Sequence, residues 1–167
     1  SGPPGVGKTR LIRRMAEILQ TGFTRISMPL ASGSQPLTGT DKTWKSSRPG
    51  HVLQAILNGK SASPVILLDE IDKTYAQNHN EAPLDPLHDL WEPEGAVHFV
   101  DDCIGITIDA RHIFWFATAN SVSDLRSSLL DRAEDGVLTG GDNQHAAGPA
   151  TDRRAFEQRS GSFQIGR

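Results

Sequence analysis

The sequence predicts a three-layer α/β fold with a mainly parallel sheet, because helical periods alternate with short apolar runs along the chain. Residues 65–68 and 113–117 are continuous apolar runs, which are typical of strands covered on both faces. Residues 9–19 and 51–57 instead carry apolar side chains at helical spacing. Helices placed between strands in this way connect one parallel strand to the next.

The first half of the chain contains the longest predicted elements. A helix begins at Thr9, and Gly22 follows its end. The apolar face of this helix is predicted to comprise Leu11, Ile12, Met15, Ile18 and Leu19. A short strand at 23–28 comes next, and then a loop at 31–50 that is rich in Ser, Gly, Thr and Pro. The second helix, at 51–57, leads to the strand at 65–68.

The second half is predicted to contain shorter elements. The apolar residues at 84–91 have the spacing of a short helix. Alternating apolar residues at 99–108, interrupted by a turn at Asp101 and Asp102, indicate a small hairpin. A buried strand at 113–117 and a helical turn at 128–131 complete the pattern.

We assign residues 1–132 to one domain and residues 133–167 to a divergent tail. The tail is rich in Gly, Ala, Asp, Arg and Gln, and its few apolar residues show no period. Such a composition buries too little apolar surface to offset the entropy lost on ordering. We therefore expect the tail to be poorly ordered.

Composition limits the partners and the compartment of the protein. With 17 basic and 20 acidic side chains among 167 residues, the formal charge is −3, which gives no support for a nucleic-acid partner although it leaves one possible. Cys103 is the sole cysteine, so the chain forms no internal disulfide. No apolar run approaches the ~18 residues of a membrane span, and we expect a cytoplasmic protein without a membrane partner.

A full phosphate-loop motif, G-x-x-x-x-G-K-[ST], occupies the residues Gly2-Pro3-Pro4-Gly5-Val6-Gly7-Lys8-Thr9. Its glycines allow successive backbone N–H groups to turn toward phosphates, beside the positive end of the following helix. The motif predicts that Lys8 contacts the β- and γ-phosphates of ATP and that the Thr9 hydroxyl binds Mg²⁺. Average composition gives a chance match in well under ~1% of chains of this length.

The position of this motif at the start of the chain is unusual. A buried strand normally delivers a phosphate loop, and a helix leaves it. Ser1 stands directly before Gly2, without a strand pattern in front of it. We therefore expect that the first strand of the fold is missing and that the chain is cut at its N-terminal edge.

An acidic pair follows the apolar run at 65–68, in the pattern known as Walker B. Asp69 is predicted to lie at the carboxyl end of a buried strand, where it would bind Mg²⁺ directly or in its second shell. Glu70 is predicted to orient and deprotonate the attacking water. Alone, this run also fits a strand followed by a solvated turn, but 60 residues after a phosphate loop it is a strong signal. Asp72 and Lys73 are interpreted as surface charges.

Two further residues complete the predicted catalytic set. Asn120 follows the strand at 113–117, where a neutral amide can position the attacking water, a role known as sensor 1. Read alone, Asn120 also fits an ordinary turn, but its order behind the other motifs favours the functional interpretation. Arg132 is predicted to stabilise charge that develops on the γ-phosphate, because a guanidinium is a fixed cation.

Together these motifs resemble the AAA+ module of Lon-type ATP-dependent proteases, a P-loop NTPase fold. The motif segments that carry the resemblance are residues 2–9, 65–73, 117–120 and 129–132. The segment 37–55 resembles the Lon stretch with an aromatic pore loop, and 90–94 resembles the family's Val-Leu-Asp-Pro-Glu. The likeness covers roughly residues 2–132.

The resemblance implies a homohexameric ring motor that threads protein substrates and is driven by ATP with Mg²⁺. Trp44 falls where the family has the pore-loop tyrosine, although Lys45 and the serines after it depart from the family's apolar-glycine continuation. The resemblance also implies that Arg132 acts across a subunit interface. After Arg132 the family's apolar strand and helical lid with its sensor-2 arginine have no counterpart here, so we expect the lid to be absent.

Three functional hypotheses follow from the sequence. The first is ATP hydrolysis by the motor core of a Lon-like unfoldase or protease, without the peptidase itself. The second is an AAA+ machine that acts on nucleic acid, of the clamp-loader or branch-migration type. The third is a truncated chain that binds nucleotide without turnover, since two strands of the sheet are missing or altered.

Overall fold

The computed structural model contains a parallel sheet, an antiparallel hairpin and short helices. It describes residues 1–31, 33–59, 61–74, 83–121, 125 and 127–132. The strands are β1 (Phe23–Ser27), β2 (Val65–Asp69), β3 (Phe99–Val100), β4 (Thr107–Ile108) and β5 (Phe114–Ala117). The α-helices are α1 (Lys8–Ile18), α2 (Gln35–Thr38), α3 (His51–Asn58), α4 (Leu87–Leu90), α5 (Pro93–Ala96) and α6 (Ser127–Leu130). The predicted tail at 133–167 lies outside the described residues.

The sheet has the strand order β1-β2-β5, and both strand pairs are parallel. Val65 in β2 lies opposite Phe23 in β1 and Phe114 in β5. The carboxyl ends of all three strands therefore lie at one edge of the sheet, where ligands bind in open α/β folds. The predicted parallel α/β fold is confirmed.

The central strand β2 separates two apolar cores. Val65 and Leu67 pack with Ile12 and Ala16 of α1 on one face. Ile66 and Leu68 pack on the other face into a larger core that includes residues of α3 and α4. Alternate side chains of a strand point to opposite faces, so β2 is buried from both sides. This arrangement gives the predicted helix, sheet and helix layers.

The predicted apolar face of α1 is only partly correct. Ile12 is buried, as predicted, and Ala16, which was not predicted, is only 1% exposed. Leu11, Ile18 and Leu19 are instead 36%, 67% and 47% exposed. Residues 12 and 16 lie one turn apart and form a narrow stripe against β2, and small Ala16 allows the helix to approach closely. The predicted apolar face was therefore wider than the face of α1 that contacts the sheet.

The strand β5 was predicted to be fully buried, but its four residues are each half-buried. It bonds to β2 on one side and is one of the two edge strands of the described sheet. An edge strand is covered less completely than a central one, because one of its sides has no neighbouring strand. A continuous apolar run therefore did not distinguish the edge strand from the centre.

The hairpin predicted at 99–108 is confirmed, because Phe99 in β3 lies opposite Ile108 in β4. The connection between the two strands is longer than the predicted turn, since it spans residues 101–106. Asp101 is buried and accepts the backbone N–H groups of Cys103 and Ile104 within the connection.

Beyond β4, the Arg111 guanidinium donates to both oxygens of Asp109 and lowers the pKa of that carboxyl to about 2.

Candidate functional site

The phosphate loop lies against the carboxyl end of β5. The Gly2 N–H donates to the Ala119 carbonyl at 3.2 Å, so the loop starts beside the residues that follow this strand. Gly5 and Gly7 have φ of +84° and +90°, a backbone conformation that side chains rarely adopt. Gly7 also precedes the first residue of α1, so that the loop leads directly to a helix N-terminus.

Lys8 connects this loop to the end of β5. Its Nζ donates to the Gly2 carbonyl, to the Pro3 carbonyl at 3.1 Å and to Asn120 Oδ1 at 3.0 Å. Two residues that were predicted from separate motifs, Lys8 and Asn120, are therefore in direct contact. The ammonium group satisfies its donors on oxygen atoms, which phosphate oxygens can replace.

Asp69 is the acidic residue at the end of the central strand and is 5% exposed. Its Oδ1 accepts hydrogen bonds from the hydroxyls of Thr118 and, at 3.3 Å, Thr9. Its Oδ2 accepts from Arg25 Nε at 2.7 Å. Asp69 lies on the same face of β2 as Val65 and Leu67, which is the face that α1 covers. This alternation brings Asp69 to the first turn of α1, where Thr9 lies.

Glu70 has a left-handed backbone, with φ 58° and ψ 52°. This conformation is unfavourable for a residue with a Cβ, and such residues concentrate at active sites. The neighbouring Thr118 holds the turn, because its hydroxyl accepts the Glu70 N–H at 3.0 Å and its carbonyl accepts the Ile71 N–H at 2.9 Å. The Glu70 side chain is 43% exposed and pairs with Lys73 Nζ at 2.7 Å.

Three polar residues of the site were missed or misread in the sequence. Arg25 and Thr118 bond to Asp69, although neither was assigned a role. The interpretation of Asp72 as a surface charge is wrong, because its Oδ2 accepts the backbone N–H groups of Asn120 at 3.1 Å and Ser121 at 3.3 Å. Its Oδ1 is buried and has no hydrogen-bond partner among the residues that the structure describes. One sequence feature could have identified Arg25 as a site residue, because it is a charged residue inside a short predicted strand.

Two predicted residues lie outside this group of contacts. The side chain of Arg132 is about one-third exposed, and its Nε donates to Glu92 Oε1 at 2.7 Å. Trp44 is 70% exposed, in the loop between α2 and α3. The contacts described above for Lys8 and Asp69 include neither residue.

The fold and this group of residues define a nucleotide-binding protein of the P-loop class. Residues 1–140 match the family described as ATPase family associated with various cellular activities (AAA). The chain therefore belongs to the AAA family. The predicted enzyme class, an ATPase, is confirmed at this level.

Within the described part of the chain, no helix has the length and apolarity needed to cross a membrane.

Similar proteins extend this assignment. The chain is 37% identical over 134 residues to Lon protease homolog 2, peroxisomal, of Caenorhabditis briggsae, which covers 80% of this chain and 17% of the relative. It is 35% identical over 139 residues to Lon protease of Borrelia duttonii, covering 83% and 17% respectively. It is 38% identical over 140 residues to Lon protease homolog 2, peroxisomal, of Pichia angusta, covering 84% and 15%.

The resemblance to Lon-type proteases predicted from the sequence is thus confirmed. The chain spans only 15% to 17% of the length of these three relatives. The likeness therefore concerns the ATPase part, and the activity of a whole protein is a separate matter.

Proposed function

We propose that this chain binds ATP with Mg²⁺ and hydrolyses ATP as the motor core of a Lon-like protein unfoldase or protease. The observation that carries the proposal is a pair of contacts, Lys8 with Asn120 and Thr9 with Asp69. These contacts bring together three segments that are distant in sequence and that belong to three separate motifs. Residues without a shared function are not expected to lie together at the sheet edge where α/β folds bind ligands.

The residues present fit a magnesium ion by the chemistry of their donors. Thr9 Oγ1 and Asp69 Oδ1 are hard oxygen ligands that already face each other at 3.3 Å. Mg²⁺ in nucleotide sites is typically held by one or two such oxygens together with phosphates and water. When bound, the ion neutralises charge that develops on the β- and γ-phosphates.

The proposed reaction is the transfer of the γ-phosphoryl group to water. The water oxygen bonds to the γ-phosphorus, the bond to the bridging oxygen of ADP breaks, and the proton of the water passes to Glu70. Lys8 stabilises the phosphate oxygens, and Asn120 orients the water through its amide. We assign to the left-handed turn at Glu70 and its ion pair with Lys73 the role of favouring the orientation in which the carboxylate meets the water.

We also propose that Arg132 serves the site of a neighbouring subunit in a homohexamer. Its partial exposure and its ion pair with Glu92, a residue that is not among those bonded to Lys8 or Asp69, support a role outside its own subunit. A guanidinium that reaches the γ-phosphate of a neighbour would make hydrolysis depend on assembly.

Protein substrates are proposed to contact Trp44, which lies in an exposed position in a polar loop. The net charge of −3 and the similarity to proteins named Lon protease favour a polypeptide over nucleic acid. A cytoplasmic location stays a prediction, since some relatives carry the word peroxisomal in their names.

The decisive variant for hydrolysis is Glu70→Gln in the full-length protein. We expect ATP turnover to fall by about 100-fold or more, because Gln cannot accept the proton of the water. We expect the MgATP affinity to stay within about twofold, because the Lys8, Thr9 and Asp69 contacts are unchanged. Steady-state turnover and calorimetric titration measure the two effects.

Glu94→Gln is the matched control, because Glu94 is an exposed carboxylate on α5 and the charge change is the same. Equal turnover in the Glu70→Gln variant and the unsubstituted protein would exclude Glu70 as the group that activates water. Tight MgATP binding without any turnover in the unsubstituted protein would instead favour a domain that only binds nucleotide.

A further inference from the structure

The carboxylate of Asp101 lies between the loop that carries Trp44 and the β3–β4 hairpin. Its side chain is fully buried, with 0% exposure. Oδ2 accepts the Gly50 N–H at 2.8 Å, and Oδ1 accepts the N–H groups of Cys103 at 3.0 Å and Ile104 at 3.3 Å. A buried charge requires such donors, and the positive end of α3, which begins after Gly50, adds to them.

The segment at residues 40–49, called here the Trp44 loop, is closed by its own hydrogen bonds. The Thr40 N–H donates to the Arg48 carbonyl at 3.0 Å, and the Arg48 N–H donates to Thr40 Oγ1 at 2.7 Å. Inside the loop, the Trp44 N–H bonds to the Asp41 carbonyl at 3.1 Å, and the Trp44 carbonyl accepts the Ser47 N–H at 3.0 Å. The loop is therefore locally ordered, and its orientation depends on how its base is held.

Glycines on both sides of the loop form that base. A Cβ on Gly50 would lie 2.1 Å from the Leu37 carbonyl oxygen. A Cβ on Gly39, where φ is +88°, would lie 2.8 Å from the Gly50 nitrogen and 3.2 Å from Asp101 Oδ1. The entering and leaving chain segments thus touch each other and the carboxylate, so that only glycine fits at these positions.

We propose that Asp101 is a positioning residue that fixes the Trp44 loop to the β3–β4 hairpin. This inference rests on the proposed contact of Trp44 with protein substrates, and it names the group that orients the loop for that contact. The carboxylate joins the Gly50 amide at the loop base to the hairpin amides of Cys103 and Ile104, through opposite oxygens. Without this acceptor, the Gly50 N–H would be buried and unpaired.

The hairpin is a suitable anchor because it continues toward the phosphate site. A short connection after β4 leads into β5, which ends just before Thr118 and Asn120. A second bond, from the Asp102 N–H to the Thr38 carbonyl at 2.7 Å, joins the hairpin to the chain that enters the loop. This bond involves backbone atoms only, so it survives side-chain substitutions at either position.

The test uses Asp101→Asn in the full-length protein, because Asn has one acceptor oxygen where Asp has two. The Asn oxygen is expected to keep the local bonds to Cys103 and Ile104, which Asn commonly makes, and its NH₂ then faces the Gly50 N–H as a second donor. Asp102→Asn is the control, since it makes the same charge change in an exposed neighbour.

Hydrogen exchange measures the loss of positioning directly. We expect amides of the Trp44 loop and Gly50 to exchange about tenfold faster or more in Asp101→Asn, because a hydrogen bond to a charged acceptor is lost. Amides of β2 are expected to exchange at their original rate, and Asp102→Asn should match the unsubstituted protein throughout. Unchanged exchange in the loop, or faster exchange throughout β2 as well, would overturn the proposal.

A second measurement tests the link to substrates with a fluorescently labelled, chemically unfolded protein as the probe. We expect Asp101→Asn and Trp44→Ala both to weaken its binding by about fivefold or more, whereas Asp102→Asn binds it normally. If Trp44→Ala binds the probe normally, the proposed substrate contact fails, whatever the exchange data show. If only Asp101→Asn binds normally, the positioning role fails while the contact of Trp44 stands.

Discussion

Arg25 determines how the carboxylate of Asp69 is held at the end of the central strand. It reaches across from β1, donates to Asp69 Oδ2 and leaves Oδ1 to the hydroxyls of Thr9 and Thr118. The Arg25 side chain is 51% exposed, whereas that of Asp69 is 7% exposed. A cation that is half in solvent thus compensates a carboxylate that is almost completely buried, and each oxygen of Asp69 has its own hydrogen-bond partners.

Arg25→Met removes this cation and keeps most of the apolar stem. We expect the free energy of unfolding to fall by about 1–3 kcal/mol, because Asp69 Oδ2 then stays buried without its donor. Arg14→Met is the matched control, since it removes an exposed ion pair with Glu17, and its effect should stay below about 0.5 kcal/mol. Urea denaturation of both variants measures the difference, and equal losses would contradict the role given to Arg25.

The motifs predicted which residues meet at the site better than they predicted what holds those residues. Lys8, Thr9, Asp69 and Asn120 were found because each motif fixes its residues at short sequence distances. The contacts of Arg25 and Asp72 depend on strand order and register, which join positions more than 40 residues apart. Such contacts have no short-range pattern, so the sequence alone left Arg25 without a role and led to the wrong interpretation of Asp72.

The strand β2 is the element on which the site depends most. Each of its five residues is buried, and it carries Asp69 at its end. Leu68 is fully buried in the larger core and lies directly before Asp69. A cavity at this position would therefore affect both packing and the orientation of the carboxylate.

Leu68→Ala tests this dependence at the level of the element. We expect a loss of about 3 kcal/mol in the free energy of unfolding, from lost burial and the remaining cavity. Leu57→Ala on α3 is the control, because Leu57 is 69% exposed, and its effect should be within about 0.5 kcal/mol. Denaturant titration measures both variants, and similar losses at the two leucines would refute the central position of β2.

Element types were predictable from periodicity, whereas burial depended on neighbours in space. The positions of α1, α3, β2 and the hairpin followed from spacing, because spacing reports which face of an element is apolar. The same patterns failed for the exposed residues of α1 and for half-buried β5, since sheet width and strand order decide what each face meets. Those properties arise only when the elements assemble.

At the scale of the whole molecule, nucleotide binding should link segments that are otherwise separate. The start of α1, the end of β2 and the end of β5 each contribute one or more contacting residues. A ligand that binds only this folded arrangement stabilises the entire domain, by an amount that rises with the logarithm of the ligand concentration relative to its Kd. The affinity for MgATP therefore reports on the convergence of all three segments.

Calorimetric titration of MgATP into the full-length protein and its Lys8→Ala variant tests this central claim most directly. We predict that Lys8→Ala weakens binding by about 30-fold or more, because the triphosphate loses a partly desolvated cation. Lys42→Ala, which removes an exposed lysine of the Trp44 loop, should bind as tightly as the unsubstituted protein. Equal affinity in Lys8→Ala and Lys42→Ala would contradict a triphosphate site at the phosphate loop.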